Sequence, residues 1–259
     1  MRVTLRLLSP QSRRLLLHVG TVKTGSTSLQ AYMSEHQQAL AEAGWCYLPA
    51  PGRPDRRDLA AACIAMDDQR DELLRSSQLV EPQQRLAFRQ QVCSQLEAQL
   101  QQLPPGLGVI FSSEHFHLSL QRPEEIQTLK QVLLELGLEA QQVVIYLREP
   151  LALIESLFST MVRSGDQRPL PADPADPFVT LICDHSASLA RWRAVFGEAV
   201  VQPRAFPPRA GRSLSRDFLE LLDAEPAAGW PPEPAAQRNR GLNPQALTLL
   251  AWLNRHCLW

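Results

Sequence analysis

Leu15-Leu16-Leu17-His18-Val19-Gly20-Thr21-Val22-Lys23-Thr24-Gly25-Ser26-Thr27-Ser28 decides how the chain is read. The continuous apolar run that begins after Arg14 has the pattern of a strand buried on both faces. It stops at Gly20, and Leu29, Tyr32, Met33 and Leu40 then recur at helical spacing as far as Gly44. That predicts a buried strand, a tight loop and an amphipathic helix with a glycine stop. In this order the loop lies just beyond the carboxyl end of a strand and at a helix N-terminus, where an open parallel sheet binds ligands. Unpaired N–H groups and the helix dipole favour a phosphate or sulfate there. Gly20 and Gly25 let the backbone wrap an anion, Ser26, Thr27 and Ser28 offer hydroxyls, Thr24 completes the loop, and Lys23 adds a point charge. The loop is not a Walker A sequence, which places Lys directly after the second Gly, whereas Lys23 precedes Gly25 by two residues. The competing reading is an ordinary turn capped by Ser26 or Thr27. Against it stands the rarity of lysine: of the 26 basic residues only Lys23 and Lys130 are lysines, so a merely solvated positive charge is supplied here by arginine.

A similar pattern follows. Residues 107–111 read as a strand, Pro123 starts a helix carrying Ile126, Leu129, Leu133 and Leu136, and 143–147 read as another strand. Strands alternating with helices imply an α/β fold: a P-loop-like open parallel sheet flanked by helices, as a single domain over 14–259 with an N-terminal extension over 1–13. Residues 81–103 read as a Gln-rich helix with an apolar stripe of Leu86, Val92, Leu96, Leu100 and Leu103 that packs on the sheet. Helices are predicted over 178–195, 214–223 and 244–256, and a short strand over 199–202. The Pro-rich segment 165–177 reads as a surface loop or lid, and 224–236 as a second excursion. No internal repeat is present.

The 259 residues carry Lys+Arg 26 against Asp+Glu 27, a net charge of -1, and 44% hydrophobic residues. This describes one large globular domain with enough chain for a full core. The charge balance excludes the usual electrostatic basis for a nucleic-acid or anionic-membrane surface. Cys46, Cys63, Cys93, Cys183 and Cys257 are scattered and show neither metal spacing nor a disulfide framework. The N-terminus lacks the features of a secretory signal, and no stretch reaches the roughly 20 apolar residues of a membrane span. The expected location is cytoplasmic.

Two further constellations bear on chemistry. Arg148 ends the strand Val143–Leu147, and Ser156 follows eight residues later, about two turns into a helix. A guanidinium fork and a hydroxyl suit a second phosphate, although an arginine at a strand end is as often solvated or salt-bridged. Phe111-Ser112-Ser113-Glu114-His115-Phe116 places Glu114 and His115 at a strand end, where either can act as general base. The competing reading makes Glu114 a helix cap and His115 and His117 surface groups. His18 reads as a hydrogen-bonded core histidine, and Trp192, Trp230, Trp252 and Trp259 read as packing residues, of which Trp230 is also a candidate acceptor contact.

Taken together, LLLHVGTVKTGSTSLQ and VVIYLREPLALIESLFSTMVRSG resemble the sulfotransferases that use 3′-phosphoadenosine 5′-phosphosulfate, in particular the bacterial branch similar to carbohydrate sulfotransferases. The resemblance implies that the first motif, with Lys23, binds the 5′-phosphosulfate and that Arg148 and Ser156 bind the 3′-phosphate. It implies a hydroxyl-bearing acceptor, by analogy a saccharide, with Glu114 as first and His115 as second choice for the base, and no metal. Two departures stand out. A histidine common in related bacterial sequences is absent near Tyr47-Leu48-Pro49, where Asp58 is the candidate substitute. The segment 237–243 is only a loose match to a basic loop that closes over the nucleotide, which makes Arg240, like its neighbour Arg238, either a donor contact or a surface charge. The alternatives are a nucleotide-dependent kinase with a variant phosphate loop, for which Glu114 is the obvious magnesium ligand, and a nucleotide-binding module without catalysis.

Overall fold

The computed structural model describes residues 12–68, 71–167, 176–209, 212–223, 225–226, 228–232 and 244–256. Strands β1 (Arg13–Val19), β2 (Trp45–Tyr47), β3 (Gly108–Ser113), β4 (Leu138–Arg148) and β5 (Val201–Phe206) form a 5-stranded sheet in the order β2-β3-β1-β4-β5. Every neighbouring pair is parallel. Helices α1 (Ser26–Glu35) and α2 (Gln37–Glu42) lie between β1 and β2, and α3 (Arg57–Cys63), α4 (Glu72–Ser76) and α5 (Pro82–Gln101) between β2 and β3. Helices α6 (His115–Ser119) and α7 (Pro123–Glu135) precede β4, and α8 (Pro150–Arg163), α9 (Pro177–Cys183) and α10 (His185–Phe196) precede β5. Helices α11 (Leu214–Leu219) and α12 (Pro244–His256) follow. The α/β class and the parallel sheet are thus as the sequence predicts.

The alternation of side chains along β1 divides the core in two. Leu15, Leu17 and Val19 join Val109, Phe111, Val143 and Ile145 against Leu59 of α3, Val92 of α5, Ile126 of α7 and Trp192 of α10. On the other face Leu16 joins Ile110, Val144 and Tyr146 against Leu29 and Met33 of α1 and Phe218 of α11. His18 shares that second face, edge-on to Tyr146 and Phe218 with ring centroids 5.8 and 5.7 Å away. Its Nδ1 lies 2.8 Å from Ser112 Oγ, and burial lowers its pKa to about 4, so it is the neutral core histidine the sequence suggests. Each fully buried Leu or Val here contributes about 1.5–3 kcal/mol.

Chain direction defines the ligand-binding crevice. The connection from β1 leads toward β2 on one side, and that from β4 leads to β5 on the other, so the topological switch point lies between the carboxyl ends of β1 and β4. Among the described residues no helix is long and apolar enough to cross a membrane.

Several local expectations need correction. The single helix read through Leu40 breaks at His36, whose φ of -116° and ψ of 36° leave the helical region, so α1 and α2 are separate. The helix over 178–195 breaks at Asp184, whose carboxylate accepts from Ala187 N at 2.8 Å and caps α10. The strand read over 199–202 is β5 over Val201–Phe206, and the helix read over 214–223 is α11 with a short 3-10 turn, Glu220–Leu222. The stripe on α5 includes one wrong member: Leu86 is 51% exposed, and its neighbour Arg85 is buried at 4%. Arg85 donates to the carbonyls of Ile64, Ala65, Met66 and Asp68 at 2.7–3.0 Å, closing the turn after α3.

Hydrogen bonds from a charged donor contribute about 1.5–3 kcal/mol each. Arg85→Met is therefore expected to lower the unfolding free energy by about 3 kcal/mol or more, against less than about 0.5 kcal/mol for Leu86→Ala. Urea unfolding followed by circular dichroism makes the comparison, and equal losses would refute the assignment of Arg85.

Candidate functional site

The loop after β1 is stitched to both neighbouring strands. Gly20 N donates to Ser113 O of β3 at 3.0 Å, and the Thr21 hydroxyl donates to Tyr146 O of β4 at 2.6 Å. The Thr24 hydroxyl donates to Thr21 O at 2.7 Å and so shapes the turn from inside. Val22 anchors the loop in a small cluster with Leu153 of α8 and Ile182 of α9. Lys23 and Gly25 sit at φ 61° and 80°. A Cβ at Gly25 would meet Leu214 Cδ2 at 2.9 Å, and one at Gly20 would meet Ser26 Oγ at 2.7 Å and Glu114 Cγ at 3.1 Å. At Gly25 the left-handed backbone strains any other residue, and at Gly20 a Cβ would force Ser26 or Glu114 to shift.

The first intrahelical bond of α1 runs from Leu29 N to Gly25 O at 3.1 Å. The amides of Ser26, Thr27 and Ser28 precede it and have no intrahelical acceptor. Ser26 Oγ is buried without a hydrogen bond of normal geometry, while Thr27 and Ser28 are exposed. Orphan amides, a buried hydroxyl and a helix N-terminus make this loop a candidate cradle for an anion.

Arg148 belongs to the same crevice. Its Nη1 donates to Lys23 O at 2.8 Å, its guanidinium carbon lies 5.7 Å from the centre of the Phe206 ring, and its buried Nε has no partner. Its own carbonyl lies 2.7 Å from His185 Nε2. The Lys23 ammonium donates to Thr160 Oγ1 at 2.8 Å, and Thr160 Oγ1 donates to Ser156 O at 3.1 Å. Lys23, Arg148 and Thr160 of α8 are therefore brought together across the switch point, and Ser156 enters the group only through its backbone carbonyl. Thr160 is absent from the sequence reading, although its spacing of four from Ser156 puts it on the same helix face. Phe206 and Leu214, which pack beside Gly25, left no signal, because tertiary packing alone puts them there.

Glu114 also reaches the loop. Burial raises its pKa, while the neighbouring Ser26 hydroxyl and the Lys23 charge pull it down. It occupies the N-cap position of α6, yet its side chain makes no capping bond; Ser113 Oγ instead accepts from His115 N at 3.2 Å. Burial, and next the Arg57 charge, lower the pKa of His115 and favour the neutral ring. Asp55, which the sequence reading passed over, is buried here: its Oδ2 accepts from Ser113 Oγ at 3.1 Å and its Oδ1 pairs with Arg57 Nε at 3.0 Å.

Other candidates are placed differently. Asp58 pairs at 3.0 Å with Arg56, whose side chain has no exposed surface and which lies 5.3 Å from the Phe111 ring centre. Its carboxylate serves a buried guanidinium that also donates to Pro49 O and Gln99 Oε1 at 3.0 Å. His117 is 1% exposed rather than a surface group. Trp192 and Trp230 pack in the two cores, whereas Trp252 is 54% exposed, against expectation. The second lysine, Lys130, donates to Val195 O at 2.8 Å near the end of α10. Arg238, Arg240, Cys257 and Trp259 lie outside the described residues. Among the described residues, no three of His, Cys, Asp and Glu gather to hold a metal ion.

The architecture has a solved counterpart. It resembles a sulfotransferase. The crystal structure of a sulfotransferase from Alicyclobacillus acidocaldarius superposes with a TM-score of 0.54 and 14% identity, over 95% of this chain and 93% of that one. At that identity the likeness establishes the sulfotransferase-like fold. No protein-family model matches the sequence, and no curated protein matches it.

Removing one member of a buried ion pair strands the other and costs about 3–5 kcal/mol. Asp58→Asn is thus expected to lower the melting temperature by about 6 °C or more, at about 2–4 °C per kcal/mol for a chain of this size. An unchanged melting curve together with lost activity would return Asp58 to the candidate bases.

Proposed function

We propose that the chain is a sulfotransferase that moves the sulfuryl group of 3′-phosphoadenosine 5′-phosphosulfate to a hydroxyl, by resemblance that of a saccharide. The observation that carries this reading is the 2.8 Å bond from Arg148 to the Lys23 carbonyl, because it joins the two anion-binding segments into one crevice at the switch point. Two candidate anion-binding segments joined in this way suit a nucleotide with phosphates at two positions. The fit to the donor rests on this protein's own features: the first amides of α1 without intrahelical acceptors, the buried Ser26 hydroxyl beside Glu114, and Gly20, where a Cβ would press on that hydroxyl.

The donor brings a sulfuryl group already activated by a phosphate leaving group. Lys23, Thr24, Gly25, Ser26, Thr27 and Ser28 hold the 5′-phosphosulfate, and Arg148 and Ser156 hold the 3′-phosphate. The resemblance adds Arg240 to the donor contacts. An ammonium has three donors, so Lys23 can keep Thr160 and still neutralise the charge that develops on the bridging oxygen as its bond to sulfur breaks. Glu114 takes the acceptor proton as the acceptor oxygen bonds to sulfur, with the neutral His115 ring as the second candidate. Catalysis is positional and electrostatic, as in phosphoryl transfer.

Calorimetric titration tests the second site. Wild type is expected to bind 3′-phosphoadenosine 5′-phosphate more tightly than adenosine 5′-phosphate, and Arg148→Ala should erase that preference. A variant that discriminates as well as wild type would overturn the assignment of Arg148.

A transfer assay tests the chemistry. Lys23→Ala should cost on the order of a hundredfold or more in turnover, with a smaller loss of donor affinity. Glu114→Gln should cost about a hundredfold to ten-thousandfold with donor affinity intact. Because burial raises the Glu114 pKa, its base form is lost at a higher pH than an ordinary carboxylate's. The acid limb of the wild-type rate profile should therefore lie above pH ~4.3 and vanish in Glu114→Gln. A persistent limb would move the base to another residue.

A further inference from the structure

Asp55 is a buried carboxylate that the donor crevice and the proton transfer leave unused. Its place is fixed by the backbone. Leu48 N donates to Ile110 O at 3.1 Å, Ala50 N to Asp55 O at 3.0 Å and Arg56 N to Ser112 O at 3.0 Å, so the segment after β2 stays alongside β3 up to the carboxyl edge of the sheet. On the other side of β3, Gly20 N donates to Ser113 O. Asp55 and Arg57 therefore flank Ser113 and Glu114 from one side, and the loop that carries Lys23 flanks them from the other.

The side chains continue this order. Asp55 Oδ2 accepts from Ser113 Oγ at 3.1 Å, and Ser113 Oγ accepts from His115 N at 3.2 Å, which ties the carboxylate to the peptide that carries both candidate bases. Asp55 Oδ1 accepts from Arg57 Nε at 3.0 Å. As a brace this pair is weak. The Arg57 side chain is 38% exposed, and an ion pair with so much solvent at one end contributes about 0–1 kcal/mol, whereas withdrawing a carboxylate from water costs several kcal/mol before its new bonds offset the loss. Stability alone gives little reason to bury this acid.

Its neighbours give a better one. Burial raises the pKa of Glu114 first of all; the Ser26 hydroxyl and then the Lys23 charge lower it, the Asp55 charge raises it, and the Arg57 charge lowers it. For His115, burial and then Arg57 favour the neutral ring, while Asp55 and Asp71, the N-cap of α4, act the other way. Asp55 and Arg57 thus act on each candidate base with opposite signs, and the bond between them decides where the cation sits.

We propose that Asp55 is a positioning residue of the base site: by gripping Arg57 Nε and the Ser113 hydroxyl it holds a cation beside Glu114 and His115 and fixes the balance of charge against which the acceptor proton is taken. The proposal rests on the sulfotransferase reading for the task of the base, while the coupling of Asp55 and Arg57 to Glu114 stands on the geometry. Removing the Asp55 charge favours the ionised Glu114 carboxylate, so its base form survives to lower pH. Removing the Arg57 charge does the reverse.

The test follows the Glu114 side-chain carboxyl carbon by nuclear magnetic resonance across pH in the full chain, with Glu114→Gln to assign the signal, and measures the acid limb of the transfer rate in parallel. Asp55→Asn, which keeps the shape and can still accept from Arg57, is expected to move both midpoints down by about one pH unit. Arg57→Gln should move both up by about as much, and the double variant should return them toward wild type. Donor affinity should not change. A merely structural pair would lower the melting temperature without driving the midpoints in opposite directions. Midpoints that stay in place in the folded variants, or that move the same way in both, would overturn the proposal. If Asp55→Asn does not fold, Arg57→Gln decides alone, because its upward shift is required. A wild type that transfers nothing while its Glu114 midpoint responds as expected would overturn the sulfotransferase reading instead, since the resonance titration is read without turnover.

Discussion

β1 has neither a free face nor a free edge, and the rest of the molecule is arranged around that constraint. Its N–H and C=O groups are shared with β3 and β4, and its side chains feed two separate cores. A strand so enclosed can continue only past the sheet's carboxyl edge, where the backbone turns in a space already claimed by Glu114 and Ser26. The missing Cβ at Gly20 and the left-handed backbone at Lys23 and Gly25 are the local solutions. They leave the first amides of α1 without acceptors. That row of unpaired amides is therefore a by-product of how a central strand must end.

This explains why so much of the centre is legible in the sequence. A strand buried on both faces needs an unbroken apolar run, and a loop of this shape needs glycine and small hydroxyl residues, so Leu15–Ser28 carries both facts in its composition. The strand ending at Arg148 is legible for the same reason. What escapes the sequence is whatever a neighbour decides. β2 is too short to show alternation, and Trp45, Tyr47 and Asp55 owe their burial to elements far along the chain. The break at Asp184 hides in the sequence because an acid inside a helical pattern and an acid capping a new helix look alike until the backbone turns.

Arginine shows the limit of composition most clearly. An abundance of Arg beside almost no Lys suggests solvated charge, yet Arg56 and Arg85 are buried and work as multi-donor braces for loop carbonyls. A planar guanidinium with five N–H groups can satisfy several carbonyls at once, which an ammonium cannot do from one direction. The substitution pattern of such a protein should be read through this geometry: Arg to Lys at these positions is a change of architecture.

Arg148 is gripped from two sides, its guanidinium by the loop carbonyl of Lys23 and its carbonyl by the ring of His185 on α10. One residue thus acts as a tie rod between the loop after β1 and the helix pair α9–α10. Any ligand that draws α10 outward must break the His185 contact or carry the end of β4 with it, and either event changes how firmly the loop is held. Thermodynamic reciprocity then requires that a ligand which stiffens the loop also steadies α10 to the same degree. A two-substrate enzyme built on this joint would sense the arrival of one partner in the affinity for the other, through a single strut and without a domain movement.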